Sequence, residues 1–451
     1  MTYRAKVELL YLLGFALDLV NMFIGTVAYP ALAADLHASV PQLAWIGNAY
    51  MLGLVLVIPL GSWLAARLGE RRVLCLSLAV FALGAILAGS APTIEALIGW
   101  RLLQGLGGGL LIPVGQAMAY RHCPPAERGR LTARIMAVAL LVPALSPALG
   151  GWLVGLGSWR WVLLASVPLA GVALLLAARW IQREAPTPIV PLDRRGLLLG
   201  SVGLSLLLVA LSLIAEVQQR VLGIWALAAA ALVLAGYARS ARRSAHPVLQ
   251  WSLLRHRALR LAMLVYLLVP GTFIGTQLVA TLRLSRLGYS AATIGGFMLP
   301  WALASAAAIA ATRRWLPTRG PRVLLSAGMS CQALGIALLL QVQPAQPLLP
   351  VLAFALMGLG GSLCSSTAQT LAFQGLETHE LLPGSALWNL NRQLSFCLAA
   401  ALLACVLGAL GTALPAHAFS ITLLLASGMT LLPLPLVWRT PAASLFLRET
   451  P

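Results

Sequence analysis

The chain has 451 residues, of which 60% are hydrophobic and 10% charged, with a mean hydropathy of +0.89; soluble globular chains carry about 25% charged residues. Despite a net charge of +19, this balance excludes a soluble enzyme or nucleic-acid binder, because apolar runs long enough to cross ~30 Å of hydrocarbon as helices recur from end to end. The short alternating segments of a strand barrel are absent, so the expected fold is an all-α polytopic membrane protein.

Fourteen spans are predicted, over residues 8–30, 43–66, 72–91, 95–119, 131–155, 160–181, 196–215, 220–238, 258–281, 291–312, 321–341, 347–373, 384–411 and 416–437. The first carries Asp18 and leads straight into the second, so no cleavable signal peptide is expected. A charge near a bilayer centre costs about 2.5–3.5 kcal/mol on insertion scales and is usually kept for function. Asp18 is therefore the first candidate site residue, the alternative being a neutral carboxylic acid hydrogen-bonded within the bundle. Between spans two and three, Ser62-Trp63-Leu64-Ala65-Ala66-Arg67-Leu68-Gly69-Glu70-Arg71-Arg72 reads as a tight hairpin with cations at a helix end. Span four holds Arg101-Leu102-Leu103-Gln104-Gly105-Leu106-Gly107-Gly108-Gly109: Arg101 and Gln104 share a face, and the glycines allow close helix contact. Buried, Arg101 needs Asp18, a backbone carbonyl or water as partner. No strand precedes these glycines, which rules out a dinucleotide loop. In span five, Pro143 and Pro147 remove helix hydrogen bonds, and Gly150 and Gly151 permit close packing; such a bend can act as a pivot or a seal.

The basic residues alternate between loops. Twenty-five fall on one side, Arg160, Arg220, Arg283 and Arg286 on the other, and Arg101 and Arg392 within spans. Both termini are therefore expected in the cytoplasm. The acidic loop Leu376-Glu377-Thr378-His379-Glu380 breaks this pattern, and the sequence offers no reason. The expected organisation is an N-terminal six-helix bundle (1–182), a linker with two additional spans (183–245), and a basic connector with a C-terminal six-helix bundle (246–451). The connector His246–Arg255 reads as an amphipathic surface stretch or a solvated linker. Two facing halves imply a substrate site at the midplane. The only lysine is Lys6, so no Gly-rich loop ending in Lys is available for ATP. The six cysteines lack CxxC spacing and the histidines sit in loops or near span ends; no metal or other cofactor is expected.

These segments, with Pro124-Pro125-Ala126-Glu127-Arg128-Gly129-Arg130, Ser158-Trp159-Arg160-Trp161, Trp45–Tyr50 and Asn389-Leu390-Asn391-Arg392-Gln393, resemble signatures of the major facilitator superfamily. The chain resembles in particular its 14-span drug:proton antiporters (DHA2, EmrB/QacA type), over nearly its whole length. The resemblance implies proton-coupled efflux of lipophilic small molecules across an inner membrane, the alternatives being export of a specific metabolite or siderophore, or facilitation without protons. It also implies, in double-membraned bacteria, a periplasmic adaptor and an outer-membrane channel as partners. Asp18 and Arg101 are then candidates for proton coupling. Asn21, Gln104, Asn389, Asn391, Arg392 and Gln393 are candidates for the cavity, or else for helix-to-helix hydrogen bonds. Arg67, Gly69, Arg71, Pro143, Pro147, Gly150 and Gly151 form the conformational motifs. With two deep arginines and one deep acid, neutral or anionic substrates are expected to be handled at least as well as cations. An intramembrane enzyme would need a nucleophile with its base, paired acids or a metal site, none of which the spans offer.

Several positions depart from the family pattern. Ala66 stands for an Asp, Glu70 for a common basic residue, and Ala133, Val142 and Ser146 for glycines. Counting back from Pro30, the family's Asp position holds Asn21, and Asp18 lies about 4.5 Å and about 60° away on the helix.

Overall fold

The computed structural model describes residues 1–23, 28–38, 40–155, 158–182, 191–215, 217–244, 247, 249–289, 291–344 and 346–440. The linker 183–190, His246 and Val248 of the connector, and the side chains of Pro30, Pro147 and Gly151 lie outside the described set. Among the described residues twenty α-helices follow one another: α1 Tyr3–Phe23, α2 Tyr29–Asp35, α3 Val40–Val57, α4 Gly61–Leu68, α5 Glu70–Gly89, α6 Ile94–Gly108, α7 Leu111–Arg121, α8 Arg128–Gly155, α9 Arg160–Leu164, α10 Ser166–Trp180, α11 Arg194–Ala215, α12 Arg220–Ala241, α13 Arg257–Leu268, α14 Pro270–Arg286, α15 Ala291–Gly296, α16 Met298–Leu338, α17 Leu348–Gln374, α18 Leu381–Ala413, α19 Ala418–Leu431 and α20 Leu434–Arg439. No strand occurs among the described residues. Among the described residues, eleven helical segments are long and apolar enough to cross a membrane. Several consist of two consecutive helices, and Pro270 and Pro433 stand at two of these breaks, where the missing amide hydrogen interrupts the ladder. By contrast, α8 continues through Pro143 and Pro147 to Gly155, with Gly150 buried.

Two hairpins are built alike. Gly69, between α4 and α5, has φ 80° and ψ 147°. Gly320 breaks α16 at a kink between two helices, with φ 76° and ψ 165°, a region that L side chains rarely enter. Two residues after each glycine an arginine reaches the end of a later helix: Arg71 donates to the carbonyl of Ala178, and Arg322 to that of Thr440. Sequence reading singled out the first turn as a tight hairpin and placed the second, Arg319-Gly320-Pro321-Arg322, only in the loop between the spans 291–312 and 321–341. Arg67 lies over the ring of Trp63 at 5.1 Å, and Glu70, buried, pairs with Arg121 at 2.8 Å.

The core is distributed unevenly along the bundle. At the end that carries the N-terminus and Arg128, buried side chains from early and late helices form one cluster, including Tyr11, Tyr120, Leu261, Tyr266, Phe373 and Trp388. Towards the opposite end the core splits. One cluster holds Leu32, Ile46, Leu97 and Trp159, and another holds Phe273, Phe297, Phe354 and Leu423. Among the described residues, early and late helices also share a smaller apolar cluster that holds Val55, Ile58, Ala386 and Leu390. Helices α11 and α12 pack on each other, and α11 touches α3 and α18. The apolar side chains Val221, Leu222, Ile224, Trp225 and Leu232 of α12 are exposed, as suits a lipid-facing helix.

Candidate functional site: a buried polar column between early and late helices

Polar side chains line the seam in layers from the Arg128 end inward. Arg128 starts α8, is 7% exposed, and donates to the carbonyl of Phe373 and, at 3.4 Å, to that of Gln374. It therefore binds the free carbonyls at the C-terminus of α17, where a cation complements the helix dipole. Above it, Tyr120 stacks on Phe373 with centroids 4.4 Å apart and shares hydrogen bonds with Thr132 at 2.8 Å and Gln369 at 3.5 Å. The next layer joins α7 to α18: Ser385 and Asn389 both donate to Gln116 Oε1 at 2.7 Å. The spacing of four residues puts Ser385 and Asn389 on one helix face, so a single amide oxygen meets two donors.

Asp18 lies about 22 Å along α1 from Tyr3 and has no exposed surface. Its Oδ1 accepts from the Tyr50 hydroxyl at 2.7 Å. Its Oδ2 faces Arg392 Nη2 at 3.7 Å, beyond hydrogen-bond distance. Arg392 itself lies over the ring of Phe15, 5.2 Å from its centre. Arg101 forms the next layer. It donates to the side-chain oxygen of Asn21, to the Asn21 carbonyl at 3.2 Å, to Gln104 Oε1 at 2.7 Å and to the Ile46 carbonyl at 3.3 Å. Its guanidinium also lies 4.7 Å from the centre of the Tyr50 ring. Amides and carbonyls therefore satisfy Arg101, and Tyr50 stands between it and Asp18. The cation facing the second oxygen of Asp18 is Arg392, from the late helices.

The structure thus gathers Asp18, Asn21, Arg101, Gln104, Asn389 and Arg392 along one seam. Asn391 faces elsewhere and donates to the Met263 carbonyl at 3.1 Å. Gln393 is buried, and its Oε1 has no hydrogen-bond partner among the described residues. Sequence reading missed Tyr50, Gln116, Gln369 and Ser385 as members of the column. A lone amide within an apolar run was the available signal for Gln116. No group of three or more His, Cys, Asp or Glu that could hold a metal occurs among the described residues.

Contacts at both ends complete the picture. The acidic loop that broke the charge pattern receives the basic connector: Glu380 pairs with Arg255 at 3.1 Å and His256 at 3.0 Å, and closes a capping box with Glu377. Leu249 and Leu253 of the connector are buried while Trp251 is 40% exposed. At the other end, Asp35 accepts from Trp159 Nε1 and Arg160 Nη1, each at 2.9 Å. These bonds hold its carboxyl below the ordinary aspartate range. On the Arg128 side, Arg4 at 2.6 Å does the same for Glu127.

Comparison with known proteins agrees with this architecture. Residues 10–400 match the Major Facilitator Superfamily. The chain is 33% identical over 399 residues to a multidrug resistance protein B homolog of Mycobacterium tuberculosis, covering 86% of this chain and 73% of the relative. It is 27% identical over 404 residues to a putative multidrug resistance protein MdtD of Yersinia enterocolitica, covering 88% and 85%. The crystal structure of the human organic anion transporter MFSD10 superposes with a TM-score of 0.69 at 17% identity, over 97% of this chain and 100% of that one, which speaks for the fold alone. The chain belongs to the Major Facilitator Superfamily, in its DHA2, EmrB/QacA-type drug-efflux branch, and is a transporter rather than an enzyme.

Proposed function

We propose that the protein exports lipophilic small molecules across the inner membrane in exchange for protons, with Asp18 as the proton-exchanging group. The observation that carries this reading is the fully buried carboxylate at the meeting of early and late helices, shared between the hydroxyl of Tyr50 and the guanidinium of Arg392. A carboxylate placed there alters the balance of buried charge at the seam when it gains a proton, and the seam is what must open and close for alternating access. In this reading Asn21, Gln104, Gln116 and Asn389 offer polar handles along the path, and Arg101 positions Tyr50 against Asp18.

The proposed topology has fourteen spans. The segment Thr293–Gln341 contains the non-helical Gly320 and serves as two passes, while α1 and α8, with 21 and 28 residues, supply two more beside the eleven apolar segments. Residues 1–182 and 246–451 form the two bundles around the pair α11 and α12. The arginine-rich end, which holds the N-terminus, lies in the cytoplasm. The test is proton flux in vesicles containing the full chain when a lipophilic substrate is added. Substrate-linked acidification or alkalinisation is expected, and transport without any linked pH change would leave a facilitator in place of an antiporter.

A further inference from the structure

We propose that the α11–α12 pair moves as one body with the late helices and that its apolar contact with α3 is a side gate. The gate parts when the arginine-rich end opens and admits a lipophilic substrate from the adjoining leaflet to the polar column. This deepens the efflux reading above and rests on it. The pair is rigid because its helices meet backbone against backbone. A Cβ at Gly203 would lie 2.7 Å from Leu234 Cδ2, and one at Gly223 would lie 2.7 Å from the backbone nitrogen of Ile214; packed atoms prefer about 3.5–4.0 Å. Small residues that let two helices approach this closely fix their pairing within a membrane. A polar tie then joins the pair to the late helices. The Leu249 amide of the connector donates to the Tyr237 hydroxyl of α12 at 3.3 Å, and the Tyr237 ring meets that of Trp251 with centroids 6.1 Å apart. Beyond Trp251 the connector closes on the loop before α18, where Arg255 and His256 meet the buried Glu380.

With α3 the pair shares apolar burial. Val55 of α3 and Ile58 just after it lie in one cluster with Leu204 of α11 and with Ala386 and Leu390 of α18. Lipid tails are as apolar as these side chains, so lipid can replace the α3 contact at little cost. Parting Glu380 from Arg255 and His256 would instead leave a buried carboxylate without its cations. When early and late helices separate, the weaker junction yields, and α11 and α12 stay with the late side. The place of the junction gives its opening a use. Helix α3 carries Tyr50 to the column, and α18 carries Asn389 and Arg392, while α11 touches both helices. An opening between α3 and α11 therefore leads from hydrocarbon towards these side chains, and an apolar molecule can take it without first entering water.

The test places cysteine pairs in the full chain, with its six native cysteines replaced by alanine, and joins each pair with a reducible bis-thiosulfonate. Val55→Cys with Leu204→Cys links α11 to the early helices. Leu390→Cys with Leu204→Cys links the same position of α11 to the late ones. Export of Nile red, a neutral dye that partitions into bilayers, is followed in proteoliposomes. The first link should stop export, with recovery on reduction showing that the fold is intact, and the second should leave the rate of the reduced protein unchanged. In parallel, an apolar phenyl diazirine dissolved in the bilayer is photolysed, and its marks are read by mass spectrometry at Ile58, which is buried in the closed form. Ile58 should be marked in the protein with the second link and unmarked in the protein with the first. Export that persists across the first link, export stopped by the second, or an unmarked Ile58 in the second would each overturn the proposal. Reduced protein that exports no dye, beside the expected marking of Ile58, would remove the efflux reading and leave the gate standing.

Discussion

Replacing Arg128 by Met tests whether the polar column is also a gate. In the structure Arg128 is the charged tie across the seam, donating to the carbonyls of Phe373 and Gln374 at the end of α17, at the end where the apolar core of the early and late helices is shared. A hydrogen bond to a charged group contributes about 1.5–3 kcal/mol. The second contact is long, at 3.4 Å, Arg128 Nε has no partner among the described residues, and burying the guanidinium offsets part of the gain. The lower figure, about 1.5 kcal/mol, is therefore the relevant one. If Arg128 is hydrated once that end opens, its loss shifts the equilibrium between closed and open forms about tenfold towards opening. Spin labels at the exposed positions Ala126 and Thr318 read the distance across this end by pulsed electron resonance. Arg128→Met should enrich the longer-distance population, and Arg128→Lys should restore much of the shorter one. An unchanged distance distribution in Arg128→Met would show that the apolar cluster alone closes the end and would refute the reasoning.

Asp18→Asn keeps an oxygen for the Tyr50 hydroxyl and removes the titrating charge; vesicles should lose substrate-linked proton flux while the protein still folds, as judged by its elution on size exclusion. Asn389→Leu strips one of two donors from Gln116 Oε1 and leaves a buried amide partly satisfied, so thermal unfolding in detergent should show a loss of about 1–3 kcal/mol. Gly105→Ala would place a Cβ 2.1 Å from the Tyr50 carbonyl and 3.1 Å from the Gly53 Cα. With backbone on the receiving side the cost should reach or exceed the usual 1–3 kcal/mol of overpacking, and normal stability would show that α3 and α6 can separate freely. Trp159 first and Arg160 second hold the Asp35 carboxyl below its ordinary range, so this contact is present above the unfolded-state value and is lost as pH falls through the lower folded value. Asp35→Asn should accordingly differ from wild type at neutral pH and converge with it only in strong acid, monitored by thermal unfolding across pH.

The general architecture was legible because hydrocarbon imposes simple demands. A span must be long, apolar and internally hydrogen-bonded, and these are properties of contiguous sequence. Asp18, Arg101 and Arg392 stood out for the same reason, as charges where charge is costly. The tight turn at Gly69 was visible through its flanking arginines, while its counterpart at Gly320 was placed only as a loop between the spans 291–312 and 321–341, its likeness to the first turn resting on backbone angles. The acidic loop ending in Glu380 looked anomalous only because its partners, Arg255 and His256, belong to a distant connector.

The sequence by itself determined that this chain crosses a membrane, which side gathers its arginines, and that one carboxylate lies deep enough to matter. Only the tertiary structure decided which cation faces it. Arg101 is satisfied by Asn21, Gln104 and backbone carbonyls, and Arg392, from the opposite end of the chain, takes the place at Asp18. The physical reason is that desolvation cost is a property of one residue at one depth, whereas the partner that offsets it depends on how two remote helices meet.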